Sequence, residues 1–287
     1  MPKNTPDWQS YEREVHEELK TKYFRSTVCH NVKLRGLRSG ALRQIDVLVE
    51  DTSSTGSVRT VVEAKYRRRP IDVKQVEAFL GLLQDVGAPQ GVMISPVGYS
   101  KAALARATRD DVDLDLDVLT LDEFRQWQTA IAIPYAGRNG IVLPAPVGWV
   151  IDVSRMPGNL ARLYRRGLTF PQAVEASEFM YVNIWDRRPP ITDLDLLLKM
   201  QAEAISENFP GATIAVESTK ARADARTCLR RAEIPGYSGP EVTGLAEFRN
   251  GIVFIVLHTP ASVERRNVRK LEYILRTMIP VAVQHAA

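Results

Sequence analysis

The sequence predicts two successive domains. Residues 1–132 read as an α/β domain with a mixed sheet, and residues 141–287 as an α+β domain with an antiparallel sheet. Three observations carry this. Three strand-like stretches run consecutively near the start and are followed by alternating strands and helices, the pattern of a mixed sheet. Residues 133–140 gather Pro134, Gly137, Asn139 and Gly140, the composition of a turn-rich linker. Beyond them come short strands, one long amphipathic helix, a meander and a closing helix, a rhythm without the strand–helix alternation of the first half.

In the first domain, Trp8, Tyr11, Val15, Leu19 and Tyr23 recur at helical spacing, so a helix is expected from about Asp7 to Tyr23. Glu12 falls on its apolar flank. Val28 to Leu37 reads as the first strand, and Gly36-Leu37-Arg38-Ser39-Gly40 as the turn into the second. Gln44 to Val49 forms that second strand. Strict alternation would place Ile45, Val47 and Val49 on one face and Gln44, Asp46 and Leu48 on the other. Asp51 to Ser57 has loop composition. Val61 to Lys65 is the third strand, with Glu63 and Lys65 pointing the same way. Asp72 is placed as the N-cap of a helix carrying Val73, Val76, Phe79, Leu80 and Leu83. Gly91 to Ser95, a helix over Ser100 to Arg109, Leu114 to Leu119 and a helix from Asp122 to about Gln128 complete the domain. Asp110, Asp111, Asp113, Asp115 and Asp117 alternate with apolar residues and are expected on an exposed, charge-protected strand rather than at a metal site.

In the second domain, strands are expected at Ile141 to Leu143, Trp149 to Ile151, Phe179 to Ile184, Thr213 to Ser218, Ala225 to Ala232, Thr243 to Phe248 and Ile252 to His258. Asn250-Gly251 between the last two is a strong hairpin signal. Helices are expected over Asp193 to Phe209 and Ser262 to Met278. Arg162, Arg165, Arg166, Arg187 and Arg188 fit a nucleic-acid contact, a solvated surface or a subunit interface equally well. No cluster of acid, base and nucleophile stands out, so this domain is assigned to binding, sensing or assembly.

The chemistry sits on the second and third strands of the first domain. Burying a carboxylate costs several kcal/mol unless it is paired or bound to metal. Asp46 lies within an apolar strand, and an antiparallel pairing brings it beside Glu63. A charged edge strand accounts for Glu63 and Lys65 but poorly for Asp46, because aspartate is disfavoured inside strands. Two carboxylates suit a hard cation such as Mg²⁺, which keeps several waters and completes its shell from phosphate. A neighbouring lysine can orient water and stabilise charge on phosphorus oxygens. The set therefore suits a metal-dependent phosphodiesterase. Glu12 is a candidate third carboxylate. Gln75, in the first turn of its helix, is a candidate ligand of phosphate or of bound water. Arg67, Arg68 and Arg69 follow the site directly, and with Arg38 and Arg43 they are the candidate nucleic-acid contacts.

These residues resemble the PD-(D/E)xK nuclease superfamily, and within it the Mrr-like domains of type IV restriction endonucleases. The ordered set is Tyr11-Glu12, Gly36 to Gly40, Ile45 to Val49, Val62 to Lys65 and Gln75. Gln44-Ile45 stand where a proline often precedes the aspartate. The resemblance implies a restriction-endonuclease-like core, Mg²⁺ (with Mn²⁺ as substitute) held by Asp46, Glu63 and the Ala64 carbonyl, and Lys65 positioning the attacking water. It also implies cleavage of DNA, with RNA as the alternative substrate, leaving a 5′-phosphate and a 3′-hydroxyl, in bacterial restriction or anti-phage defence. The C-terminal run from Ile252 to Thr277 is weakly similar to PsbP-like domains.

Composition bounds the rest. The net charge is +4 over 287 residues, and the basic excess lies wholly beyond residue 132. Charge this mild does not by itself point to nucleic acid. The chain carries no run of transmembrane length and no signal-peptide pattern, and Cys29 and Cys228 form neither a disulfide framework nor a zinc spacing. A reducing cytoplasm is the expected location. The absence of a P-loop excludes NTP-driven translocation by this chain. A homodimer is expected if both strands of a duplex are cut. Two further readings stand beside the endonuclease: an effector gated by a ligand or protein at the C-terminal domain, and a non-catalytic nucleic-acid-binding module.

Overall fold

The computed structural model describes residues 8–53, 56–109, 112–136, 139–154 and 156–282. Two units divide at Thr129/Ala130. Each is described by itself.

The first unit begins with helix α1 (Trp8–Lys22), which buries Tyr11, Val15 and Leu19, one side of its 3.6-residue period. Strands β1 (Thr27–Arg35) and β2 (Leu42–Ser53) form an antiparallel pair, followed by β3 (Gly56–Ala64). Helix α2 (Val73–Val86) opens with a capping box between Asp72 and Gln75, as the Asp-x-x-Gln spacing requires. It closes on Gly87, whose left-handed φ of 66° suits glycine. Strand β4 (Gln90–Ser95), helix α3 (Lys101–Ala107), strand β5 (Asp115–Thr120) and helix α4 (Leu121–Gln126) follow. The sheet order is β1-β2-β3-β4-β5, with β3, β4 and β5 parallel, so the sheet is mixed as the alternation implied. Ile45, Leu48, Val61, Met93 and Val118 pack with Val76, Phe79, Leu80 and Leu83 of α2.

Two features depart from the sequence expectation. Ile45 and Leu48, three residues apart, belong to one core cluster, which an unbroken alternation forbids. The irregularity lies at Asp46. The ladder pairs His30 with Val47 and Val32 with Ile45, and Asn31 between them takes a positive φ of 53°. Asparagine tolerates that conformation better than most residues. The second departure is β5. Asp115 and Asp117 are buried rather than exposed. Asp117 accepts the Val118 N–H at 2.9 Å, and its charge adds to the burial that raises the hydroxyls of the buried Tyr23 and the half-buried Tyr99. Asp115 and Asp117 of β5 thus turn inward, Asp117 within electrostatic reach of Tyr23 and Tyr99, while Asp113 before the strand is exposed. Asp110 and Asp111 lie outside the described residues.

The second unit opens with a hairpin. Strands β6 (Ala130–Ala136) and β7 (Asn139–Pro144) are paired. Most of 133–140 is therefore strand rather than linker, and the turn signals fall at the hairpin end, where 137 and 138 lie outside the described residues. Then come β8 (Trp149–Asp152), β9 (Ala161–Arg165), helix α5 (Phe170–Glu175), β10 (Phe179–Asp186) and helix α6 (Leu194–Asn208). They are followed by β11 (Thr213–Thr219), β12 (Arg226–Glu233), β13 (Glu241–Phe248), β14 (Gly251–His258), helix α7 (Glu264–Thr277) and β15 (Ile279–Ala282). A seven-stranded antiparallel sheet runs β11-β12-β13-β14-β10-β9-β8, and a small sheet runs β15-β7-β6. Helix α7 sets Leu271, Ile274 and Leu275 against Ala246, Val253 and Ile255. Helix α6 covers the opposite face through Leu194 and Leu197 against Cys228, Leu245 and Ile252.

Several arginines considered for nucleic acid are internal to this unit. Arg162 is buried against Asp152 at 2.6 Å, Arg165 pairs with Glu178 at 3.4 Å, and Arg187 with Glu247 at 3.3 Å. No helix among the described residues is long and apolar enough to cross a membrane.

Candidate active site

The site forms where α1, the centre of β2 and the end of β3 meet. Asp46 is half-buried between the fully buried Ile45 and Val47. Its Oδ2 accepts the Ala64 N–H at 2.9 Å, which ties β2 to β3 at the carboxylate. Glu63 sits one residue before, and its Oε1 forms an ion pair with Lys65 Nζ. The Lys65 backbone N–H bonds the Ile94 carbonyl at 2.8 Å, so the first residue beyond β3 is still held by β4. The ammonium thus rises from a pinned backbone. Glu12 approaches from α1, its side chain only 15% exposed, with Oε2 3.8 Å from His30 Nε2 on β1. Tyr11 beside it packs on Tyr66, ring centroids 5.6 Å apart, bracing the helix against the segment after Lys65.

The electrostatics bind these groups together. Burial raises the carboxyl of Asp46 above the ordinary range, opposed by the Ala64 N–H, Lys65 and His30. Burial likewise raises Glu63; Lys65 opposes it, and the charge of Asp46 adds to it. Glu12 is raised by burial and then by Asp46, again opposed by Lys65. One ammonium therefore serves three carboxyls whose own charges work against each other. Carboxyls shifted by burial and by one another, gathered beside one cation, are a common mark of functional sites.

A divalent cation fits this donor set. The site holds an excess of carboxylate over cationic charge, which such an ion relieves directly. Among the described residues, no three His, Cys, Asp or Glu side chains lie close enough to enclose an ion by themselves. An ion held here would draw the rest of its shell from oxygens other than these side chains, as hard cations that keep water or phosphate ligands do.

The supporting residues divide. Gln75 Oε1 accepts the Asp72 N–H at 3.1 Å, so its carbonyl is engaged in capping α2 and only its amide nitrogen is left for a phosphate or a water. Arg67, Arg68 and Arg69 are exposed directly after the Lys65 segment and have no carboxylate partner among the described residues. Arg38 and Arg43 lie instead at the β1–β2 turn, where Arg38 Nη1 reaches Gln84 at 3.4 Å and Arg43 reaches Asp85 at 3.5 Å.

Two residues escaped the sequence reading. His30 meets Glu12 and is among the groups that oppose the rise of the Asp46 carboxyl. A polar residue inside an expected strand was the available signal. Asp85 ends an otherwise apolar helix face, and its carboxylate accepts the N–H groups of Arg38 and Ser39 at 3.2 and 2.9 Å and the Ser39 hydroxyl at 2.7 Å. These bonds, Ser39 foremost, hold its carboxyl below the usual range.

Comparison with known proteins follows the same division. Residues 5–127 match the family model Mrr_cat, described as restriction endonuclease. No curated protein matches the chain. Three solved structures share partial likeness. A protein of unknown function, AF1548, is 18% identical over 40% of this chain and 58% of its own, with a TM-score of 0.33. Cyanobacterial PsbP (CyanoP) from Synechocystis sp. PCC 6803 is 15% identical over 48% of this chain and 85% of its own, with a TM-score of 0.34. The MspJI restriction endonuclease, solved in complex with a 27-mer oligonucleotide, is 18% identical over 41% of this chain and 28% of its own, with a TM-score of 0.27. Likeness at that level does not bear on function. The family match falls on the unit that carries Asp46, Glu63 and Lys65, so residues 5–127 are similar to restriction-endonuclease domains of the Mrr_cat type.

Proposed function

We propose that the first unit is a Mg²⁺-dependent endonuclease that hydrolyses phosphodiester bonds of DNA. The observation that carries the reading is the gathering of Asp46, Glu63 and Lys65 where β2 meets the end of β3: Asp46 accepts the Ala64 N–H, Glu63 pairs with Lys65, and burial raises both carboxyls while Lys65 opposes the rise. Asp46, Glu63 and the Ala64 carbonyl would hold the ion. When bound, the ion supplies Lewis-acid activation of the phosphate and of water. Lys65 holds the attacking water by hydrogen bonding and offsets charge growing on the non-bridging oxygens. Glu12, set beside Asp46 by His30, orders the acidic wall. The Gln75 amide nitrogen and Arg67, Arg68 and Arg69 bind phosphates flanking the scissile one. In-line attack on phosphorus leaves a 5′-phosphate and a 3′-hydroxyl. Restriction or anti-phage defence in a bacterial cytoplasm is the setting this chemistry suits.

The test is plasmid cleavage with Mg²⁺. Wild-type protein is expected to nick or linearise the plasmid, and Asp46→Ala to lose this activity. An Asp46→Ala protein as active as wild type overturns the assignment.

A gated nuclease is favoured by one observation in the second unit. A cleft of about 300 Å³ is lined by apolar residues such as Ile184, Phe248 and Val253 together with Tyr135, Arg249 and Asn250, the mixed lining of small-molecule sites. Ala282→Trp at the cleft edge is expected to change the cleavage rate without changing the melting temperature. An unchanged rate speaks against gating through this cleft.

A further inference from the structure

The β1–β2 turn combines exposure with rigidity in a way that the catalytic reading does not use. Leu37 is 76% exposed and Leu42 is 64% exposed, one within the turn and one at its foot. A leucine left in water forgoes about 1.5–3 kcal/mol of burial. Exposed apolar tips are commonly loose, but this one is held. The Leu37 N–H bonds the Asp85 carbonyl at 2.6 Å, and the Asp85 carboxylate takes the Arg38 and Ser39 N–H groups and the Ser39 hydroxyl. Gly36 leaves no room for more, since a Cβ there would lie 2.5 Å from Asp85 Oδ2. The Leu37 side chain rests over Gly87, where a Cβ would come within 2.6 Å of its Cδ1. Leu37 is therefore aimed, yet among the described residues it is left mostly exposed.

The surroundings name the partner. Arg35 and Arg38 are exposed, and Arg43 is half-exposed beside them. Arg43 pairs with Asp85 at 3.5 Å, while among the described residues Arg35 and Arg38 have only neutral partners, the Gly40 carbonyl and Gln84. An apolar tip on a turn with this basic excess is complementary to a polyanion with an apolar interior, which is a nucleic-acid duplex. Position agrees. The turn lies on the same ladder as Asp46, four residues away between the Arg35–Leu42 pair and Asp46. At roughly 3.3 Å per residue this is about 13 Å, or about four base steps of 3.4 Å.

We propose that the Gly36–Gly40 turn is a DNA wedge: Leu37 enters the minor groove and separates a base step, while Arg35, Arg38 and Arg43 clamp the phosphates on either side. This rests on the reading of the first unit as a DNA endonuclease. Apolar wedges of this kind unstack and kink a duplex, which here would present a bent backbone to the carboxylates.

The experiment is relaxation of closed circular plasmid by a metal-independent type I topoisomerase, in EDTA, with the full chain bound. Without divalent ions the plasmid stays intact, and unstacking is recorded as a lowered linking number. Wild type is expected to lower it with dose. Leu37→Ala is expected to abolish the shift while its plasmid affinity, by mobility shift, stays within about threefold. Leu37→Met is expected to restore the shift. Wild type that binds without changing linking number overturns the proposal, as does Leu37→Ala behaving like wild type. Absence of plasmid binding overturns it too, and whether DNA is the substrate is then decided separately by Mg²⁺ cleavage.

Discussion

Replacing Lys65 probes the pocket as a unit. Its side chain is 28% exposed and that of Glu63 17%, so their ion pair is partly shielded from water. In contact at an effective dielectric near 20, two unit charges attract by about 4 kcal/mol, and the desolvation of both groups offsets much of this. Lys65→Ala is therefore expected to destabilise the metal-free protein by about 1–3 kcal/mol in urea unfolding at pH 7. Catalysis is expected to fall further, by at least about 10²–10³-fold, the usual loss when a group aimed at developing charge is removed. Lys65→Arg separates the two effects. It keeps the charge, and hence most of the stability, but its planar fork does not reproduce the position of the ammonium, so activity stays low. The assays are urea titration and single-turnover cleavage of a labelled duplex. Lys65→Arg with wild-type activity, or Lys65→Ala with unchanged activity, refutes the role assigned to this side chain.

Glu63→Gln tests the sign of the strain. Because burial raises the folded-state pKa of Glu63, ionisation at neutral pH opposes folding, and stability returns as pH falls through that pKa. Glu63→Gln is therefore expected to be more stable than the metal-free wild type at pH 8, to converge with it as pH drops, and to be inactive throughout. Arg230→Ala strands a largely buried Glu241, which Arg230 contacts at 2.6 Å along with Thr243 at 2.6 Å, and is expected to cost about 3–5 kcal/mol in thermal or urea unfolding. A loss below 1 kcal/mol shows that water replaces the pair. Gly91→Ala puts a methyl group 2.8 Å from Leu83 and 2.9 Å from Phe79, and overpacking there is expected to cost about 1–3 kcal/mol. An unchanged melting temperature shows that α2 yields.

What was legible in the sequence was what local chemistry specifies. Asp46, Glu63 and Lys65 announced themselves because charged residues within apolar strands need a reason. Asp72 and Gln75 wrote the start of α2 in a four-residue capping box. Asn250-Gly251 marked a true hairpin. What escaped depends on contacts distant in sequence. His30 acquires its role from Glu12, eighteen positions earlier on another element. The irregularity at Asn31 and Asp46 breaks an alternation that each strand alone appears to obey. Asp115 and Asp117 resembled surface charge because what buries them comes from elsewhere in the unit, with Tyr23 and Tyr99 near Asp117. Strands β9 and β15 went unread because Ala161-Arg162-Leu163-Tyr164-Arg165 and Ile279-Pro280-Val281-Ala282 carry arginines and a proline where strands prefer neither, and only their neighbours' ladders hold them.

The central claim is that Asp46 and Glu63 share one divalent ion beside Lys65. Anomalous diffraction from crystals soaked in Mn²⁺ tests it most directly. The account predicts a single strong peak in the first unit, at coordination distance, roughly 2.0–2.4 Å, from an oxygen of each carboxylate. Saturating Mn²⁺ with no peak between Asp46 and Glu63 contradicts it.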